Sequence, residues 1–183
     1  MKTVTFVIVL FSLSQAQEIE PEGCPEFTPK TDFEIPPYLG KWIEIARFVT
    51  PEQAGQTCNY AEYSDNGDGT VGVHNAGLEA DGSFTEIFGY VEPTEVPGAL
   101  ILHLDGVPVS GSYNVLATDY ETYTSVYSCV GILGIGHVEQ AWILARNSTL
   151  AQEDLDTALA GFSKWGIDTT KFTYTSQDAC SYP

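Results

Sequence analysis

Apolar and polar side chains alternate through most of the chain between Tyr38 and Arg146. In "YLGKWIEIARF", strict alternation puts Trp42, Glu44, Ala46 and Phe48 on one face and Ile43, Ile45 and Arg47 on the other. A period of two is the mark of a half-buried strand. The pattern recurs at short spacing, over Cys58–Ser64, Val71–Asn75, Ser83–Val91, Ala99–Asp105, Ser112–Thr118, Thr122–Val130 and His137–Arg146. "DNGDGT" (Asp65 to Thr70) and "EADG" (Glu79 to Gly82) supply turn chemistry between neighbours. The former is a poor calcium loop, because Gly67 stands where an EF-hand needs Asp or Asn.

The period changes once. "STLAQEDLDTALAGFSKWG" brings Leu150, Leu155, Leu159 and Phe162 to one face, predicting a helix over about 149–165. Ser148 or Thr149 is the expected cap, Glu153 and Asp154 suit the positive end of the dipole, and Gly166 ends the helix. A short strand, Lys171 to Tyr174, and a tail over 166–183 follow. Eight strands at regular spacing and one late helix predict an all-β fold. The architecture expected is an eight-stranded antiparallel up-and-down barrel over about 38–146, with the helix packed outside. Closure removes exposed sheet edges, and eight strands leave room for side chains or one small ligand.

Before the barrel, residues 17–37 are acidic, proline-rich and without periodicity, and read as an extended arm. The first sixteen residues have the form of an export signal: Lys2, the apolar run Val4 to Leu13, and the small-x-small site Ser14-Gln15-Ala16. A secreted, extracellular protein of one domain over 17–183 is therefore expected, with no transmembrane segment. The four cysteines, Cys24, Cys58, Cys129 and Cys180, fit two disulfides in any of three pairings. Zinc is disfavoured, because His74, His103 and His137 are scattered and none stands at ligand spacing from a cysteine.

Composition narrows the partners. Seven basic against 25 acidic residues, a formal charge of -18, argue against nucleic acid, anionic membranes and ligands that need a cage of basic side chains. No nucleophile–base pair is visible, so no enzyme is expected and no cofactor is required. "NST" makes Asn147 the candidate glycosylation site.

Three segments carry a resemblance. "GKW" (Gly40-Lys41-Trp42) lies on the first strand, "TDY" (Thr118-Asp119-Tyr120) lies between the sixth and seventh, and Arg146 ends the eighth in "AWILARN". This order resembles the signature regions of the lipocalin family, and "YLGKWIEI" and "LATDYETYTSVYSC" are similar to its apolipoprotein D branch, which includes pigment-binding crustacyanins. The resemblance implies structural roles for Gly40, Trp42, Thr118, Asp119, Tyr120 and Arg146, with Trp42 closing one end beneath Arg146. It implies the pairs Cys24–Cys129 and Cys58–Cys180. It further implies a barrel that holds one small hydrophobic ligand: a carotenoid, retinoid, bilin, sterol or fatty acid, whether chromophore or lipid.

Strand parity then directs Leu100, Leu102 and Leu104, Tyr113, Val115 and Ala117, and Trp142, Leu144 and Arg146 inward. The candidate ligand residues are Tyr63, Leu102, Leu104, Tyr113, Val115, Trp142 and Leu144, with Tyr63, Tyr113 and Trp142 expected nearer the open half. Asn75 fits the branch's polar cluster, but Gly77 and Glu79 replace larger or basic groups, which favours a neutral ligand over a carboxylate. An alternative reading is a protein-interaction lipocalin that acts through loops and outer surface without a tightly held ligand. Phe84, Phe88 and Tyr90 fall on an outer face. Either the helix or the arm covers them, or they form a homo- or heterodimer contact.

Overall fold

The computed structural model describes residues 23–132 and 135–182. The export signal and the first residues of the arm lie outside the described residues. Eight strands follow one another: β1 (Gly40–Phe48), β2 (Thr57–Asp65), β3 (Val71–Leu78), β4 (Phe84–Pro93), β5 (Ala99–Leu104), β6 (Gly111–Thr118), β7 (Tyr123–Ile132) and β8 (Gly136–Ala145). Each pairs antiparallel with the next, and β1 pairs with both β2 and β8, so the sheet closes on itself. A ninth strand, β9 (Phe172–Tyr174), adds to the far half of β1, pairing Ala46 with Tyr174 and Phe48 with Phe172. The protein is a closed antiparallel barrel with a C-terminal helix, α2 (Gln152–Ser163), packed outside it.

The turns follow their side chains. Between β2 and β3, Gly67 and Gly69 take positive φ, the Gly67 N–H donates to Asp65 Oδ1 at 2.7 Å, and Thr70 N–H donates to Asp68 Oδ1 at 2.9 Å. At the β6–β7 turn, Asp119 Oδ1 accepts the backbone N–H groups of Glu121, Thr122 and Tyr123 at 2.8–3.1 Å. Burial pushes this carboxyl's pKa up, but the backbone bonds from Thr122, Tyr123 and Glu121 outweigh it and leave it lowered.

Two hydrophobic bodies result. The inner one fills one end of the barrel with Trp42, Ala61, Tyr63, Val73, Val91, Leu100, Tyr113, Val115, Val126 and Leu144. The outer one lies under helix α2 and contains Ala46, Phe48, Leu116, Tyr127, Ala141, Ile143, Ala158, Phe162 and Ile167. Leu155 and Leu159 pack against it, as their helical spacing predicts, and Leu150 joins them from the segment before the helix. Gly161 lets the helix approach: a Cβ there would lie 3.1 Å from Ser125 Oγ and 3.2 Å from the Ala117 methyl. Ser125 Oγ donates to Ala158 O across the same contact at 2.8 Å. Helix α2 itself runs over Gln152–Ser163, later than expected, and Ala151 is its N-cap with no side-chain bond. Ser148 and Thr149 therefore do not cap it.

Strict alternation fails at two irregularities. The β1–β8 register shifts between Glu44 and Ala46, so Ala46 and Phe48 turn outward under the helix and Arg47 turns in toward Glu44. The β6–β7 register shifts between Val115 and Ala117, which moves Ala117 to the helix side. One extra residue reverses every side chain beyond it.

The arm also holds a surprise. It ends in a single helical turn, α1 (Ile35–Tyr38), that the prolines conceal in the sequence although they suit a helix's first positions. Tyr38, read as the first residue of the barrel, is its buried end. Cys24 joins Cys129 and Cys58 joins Cys180, the pairs implied by the resemblance. The first ties the arm to β7 and the second ties the tail to β2.

Candidate functional site

One end of the barrel is shut from below. The Arg146 guanidinium lies 3.7 Å from the centroid of the Trp42 ring, a cation–π contact. Its nitrogens donate to the carbonyls of Tyr120 (3.0 Å), Lys41 (2.9 Å) and Pro37 (3.0 Å), so the side chain ties α1, β1 and the β6–β7 turn together. Trp42 Nε1 donates to Tyr38 O at 2.8 Å. Gly40, Trp42, Thr118, Asp119, Tyr120 and Arg146 all belong to this closure or to the turn beside it, and none of them lines the cavity above.

That cavity occupies about 960 Å³, near the top of the roughly 300–1,000 Å³ usual for small-molecule sites. Its floor is made by Ala61, Tyr63, Tyr113, Val126 and Leu144, its middle by Ile87, Leu102 and Trp142, and its rim by Leu104, Val107, Val109, Val130 and Val138. Of the candidate ligand residues, Tyr63, Leu102, Leu104, Tyr113, Trp142 and Leu144 thus border one space. Val115 does not; fully buried, it packs with Trp42 in the body beneath.

Tyr63 and Tyr113 are placed differently from expectation. They lie at the closed end, 5% and 6% exposed, not in the open half. Tyr113 Oη lies 2.8 Å from Tyr63 Oη and 2.7 Å from Tyr38 Oη, and Thr124 Oγ1 comes within 3.4 Å of Tyr38 Oη. Burial pushes the Tyr38 phenol up to about 12, against hydrogen bonds from Thr124 and Tyr113. Burial raises Tyr63 and Tyr113 well above the usual tyrosine range as well. All three phenols are therefore neutral at physiological pH.

A polar belt crosses the wall nearer the mouth. Arg47 donates through Nη1 to Glu44 and to Asn59 Oδ1 (3.1 Å), and through Nη2 to the carbonyls of Gln53 (2.7 Å) and Gln56 (3.1 Å). Asn59 Nδ2 reaches Gln56 Oε1, and Gln56 Nε2 reaches Glu79 Oε1. Glu44 also accepts from Thr175 on the C-terminal tail. Burial raises the Glu44 carboxyl, and the pull of Arg47 and Thr175 does not cancel it. Gly77 has a physical reason here: a Cβ would stand 2.6 Å from Asn59 Nδ2. Sequence reading missed this belt because alternation points Arg47 outward. Arg47 Nη atoms and Arg146 are thus engaged with protein acceptors, and neither side chain borders the cavity.

On the outside, Phe84 and Phe88 are 54% and 48% exposed. Cover by the helix or the arm is therefore not what these two residues have. Phe88 stacks on His74 and Tyr90 on His103. Asn147 is exposed in the segment between β8 and α2, accessible to modification. Among the described residues no group of His, Cys, Asp and Glu is arranged to hold a metal, no cysteine is unpaired, and no helix is long and apolar enough to cross a membrane.

The comparisons agree with this geometry. Apolipoprotein D of Macaca fascicularis is 36% identical over 173 residues, covering 93% of this chain and 91% of its own. The Lazarillo protein of Schistocerca americana is 30% identical over 182 residues, covering 97% of this chain and 85% of its own. Among solved structures, insecticyanin of the tobacco hornworm Manduca sexta superposes with a TM-score of 0.77 at 28% identity, covering 91% of this chain and 94% of that one. Lobster apocrustacyanin A1, at 24% identity and a TM-score of 0.74 over 88% and 94% of the two chains, shares the fold. The family model described as a lipocalin-like domain matches residues 33–177, and with that match and these relatives the chain belongs to the lipocalin family.

Proposed function

We propose that this protein is a secreted carrier of one small hydrophobic molecule, held inside the barrel. The observation that carries the reading is the cavity of about 960 Å³, walled by Leu102, Leu104, Trp142, Ile87 and Leu144 above a sealed floor. A mainly apolar inner wall suits a lipophilic body, the polar residues that also line the cavity, among them Gln56, Asn59, Asn75 and Gln140, can meet its few polar atoms, and the acidic exterior keeps the loaded protein in solution. The belt and the floor favour a neutral ligand. A carboxylate in the cavity would lie beside Glu44 and Glu79, and no uncommitted guanidinium faces it. Membership of a family with such relatives supports secretion, as do the two disulfides, which persist in oxidising compartments.

Trp142 lies on the wall, whereas Trp42 is buried in the floor and Trp165 packs beside the helix. Uptake of a neutral polyene should therefore quench Trp142 emission. Trp142→Ala should weaken binding by about tenfold or more, the scale of a central aromatic contact, while leaving the far-ultraviolet circular dichroism unchanged. Equal affinity in wild type and variant would count against this cavity as the site.

A further inference from the structure

The phenols at the floor form a receptor of their own. Tyr63, Tyr113 and Tyr38 carry three hydroxyl protons, yet only two short contacts join them. The third proton has few places to go. If Tyr38 donates to Tyr113 and Tyr113 to Tyr63, the Tyr63 proton is left over. If Tyr38 and Tyr63 both donate to Tyr113, the Tyr113 proton is left over. Tyr63 and Tyr113 border the cavity and Tyr38 does not. In the remaining order Tyr113 donates to Tyr38 and Tyr63 to Tyr113, so the Tyr38 proton is left over and Tyr63 presents its lone pairs to the cavity. In every order, a donor or an acceptor of the hydroxyl chain is unmatched at the cavity floor. A buried hydroxyl that leaves a proton or a lone pair unused forgoes a bond, and a ligand oxygen in the right place supplies it.

We propose that this floor is a subsite for one neutral oxygen, a ketone carbonyl or a hydroxyl, at the leading end of the ligand. The proposal rests on the carrier reading and specifies its ligand class: an apolar body with an uncharged oxygen at the end that enters first. A carbonyl takes the leftover proton from Tyr63 or Tyr113. A ligand hydroxyl either accepts that proton or donates to Tyr63 in the reversed chain. The site does not suit a carboxylate, because the phenols are neutral and the guanidinium below them, Arg146, is turned to the carbonyls of Tyr120, Lys41 and Pro37. A carboxylate there would be buried with no cation facing it. A hydrocarbon end leaves the chain's unmatched group unmatched.

The test uses the mature protein and a matched series, 2-hexadecanone, hexadecane and hexadecanoate, each displacing the neutral probe N-phenyl-1-naphthylamine. Wild type should bind the ketone roughly tenfold more tightly than the hydrocarbon, the size of one hydrogen bond to an otherwise unmatched buried group. It should bind hexadecanoate more weakly than the ketone at neutral pH. Tyr63→Phe removes the terminal hydroxyl and leaves the Tyr113–Tyr38 contact in place. With Tyr113→Phe added, so that both hydroxyls bordering the cavity are gone, the ketone-to-hydrocarbon ratio should fall to about unity without changing the affinity for hexadecane. The carbonyl stretch of bound 2-hexadecanone in wild type gives a second readout that needs no variant. It should lie at the lower frequency of a hydrogen-bonded ketone.

A ratio that the double variant Tyr63→Phe/Tyr113→Phe leaves intact, or a carbonyl stretch at its value in hydrocarbon, overturns the subsite and leaves the carrier reading standing. Failure of wild type to bind the probe or any member of the series overturns the carrier reading and the subsite with it.

Discussion

Arg146 offers the sharpest separation between residues that hold the barrel and residues that hold its contents. Consider Arg146→Leu, which keeps an aliphatic stem and removes the guanidinium. Not every lost bond costs the same. Tyr38 O, which Arg146 also approaches at 3.4 Å, retains its bond from Trp42 Nε1. Pro37 lies at the surface, where water can replace the donor. The carbonyls of Tyr120 and Lys41 lose a charged donor at 3.0 and 2.9 Å. Bonds to charged groups contribute about 1.5–3 kcal/mol each. Taking the low end twice and adding about 1 kcal/mol for the contact with Trp42 gives about 4 kcal/mol. For a chain of this length that corresponds to a fall in melting temperature of about 10 °C. Circular dichroism melts with disulfides intact would measure it. Well below the transition, ligand affinity should match wild type, because Arg146 does not line the cavity. A shift under about 3 °C, or a large loss of affinity in the folded variant, would refute this division of labour.

Other substitutions probe the remaining supports. Replacing Cys58 and Cys180 together by serine opens a link across 122 positions; the expected loss is about 2–4 kcal/mol in denaturant unfolding, and an unchanged midpoint would show that the tail is held by other contacts. Asp119 has its folded pKa below the ordinary value of 3.8, so its contribution is full above that value and fades as pH falls through the folded one. Wild type should therefore lose stability more steeply below about pH 4 than Asp119→Asn, and parallel curves would contradict the role given to the three backbone bonds. Gly161→Val should cost about 1–3 kcal/mol, because its side chain meets Ser125 and Ala117, and a neutral result would mean that α2 can lift away.

The sequence was most informative where local chemistry decides the outcome. "DNGDGT" forms the hairpin its glycines require, Asp119 collects the backbone bonds expected of a turn aspartate, and Leu155, Leu159 and Phe162 share the buried face of α2, with Leu150 packing beside them from before its start. Leu100, Leu102 and Leu104 point inward because β5 has no irregularity to disturb its alternation. The misreadings cluster at the two register shifts. A bulge adds one residue without changing composition, so Ala46, Phe48, Arg47 and Ala117 were assigned to the wrong face. The depth of Tyr63 and Tyr113 was equally hidden. Alternation tells inside from outside but not top from bottom, and the floor is defined by α1, whose Tyr38 enters from the arm. The polar belt joins Arg47, Asn59, Gln56, Glu79 and Thr175 from distant parts of the chain. Only tertiary structure brings such groups together.

The central claim is that the barrel carries one apolar molecule. Native mass spectrometry of the protein purified from its natural source, recorded with its absorption spectrum, tests it most directly. The account predicts a single noncovalent adduct of one ligand per chain, lost on extraction with organic solvent and neutral once extracted. Protein that carries no adduct, and that takes up no neutral apolar probe when offered one in excess, would contradict it.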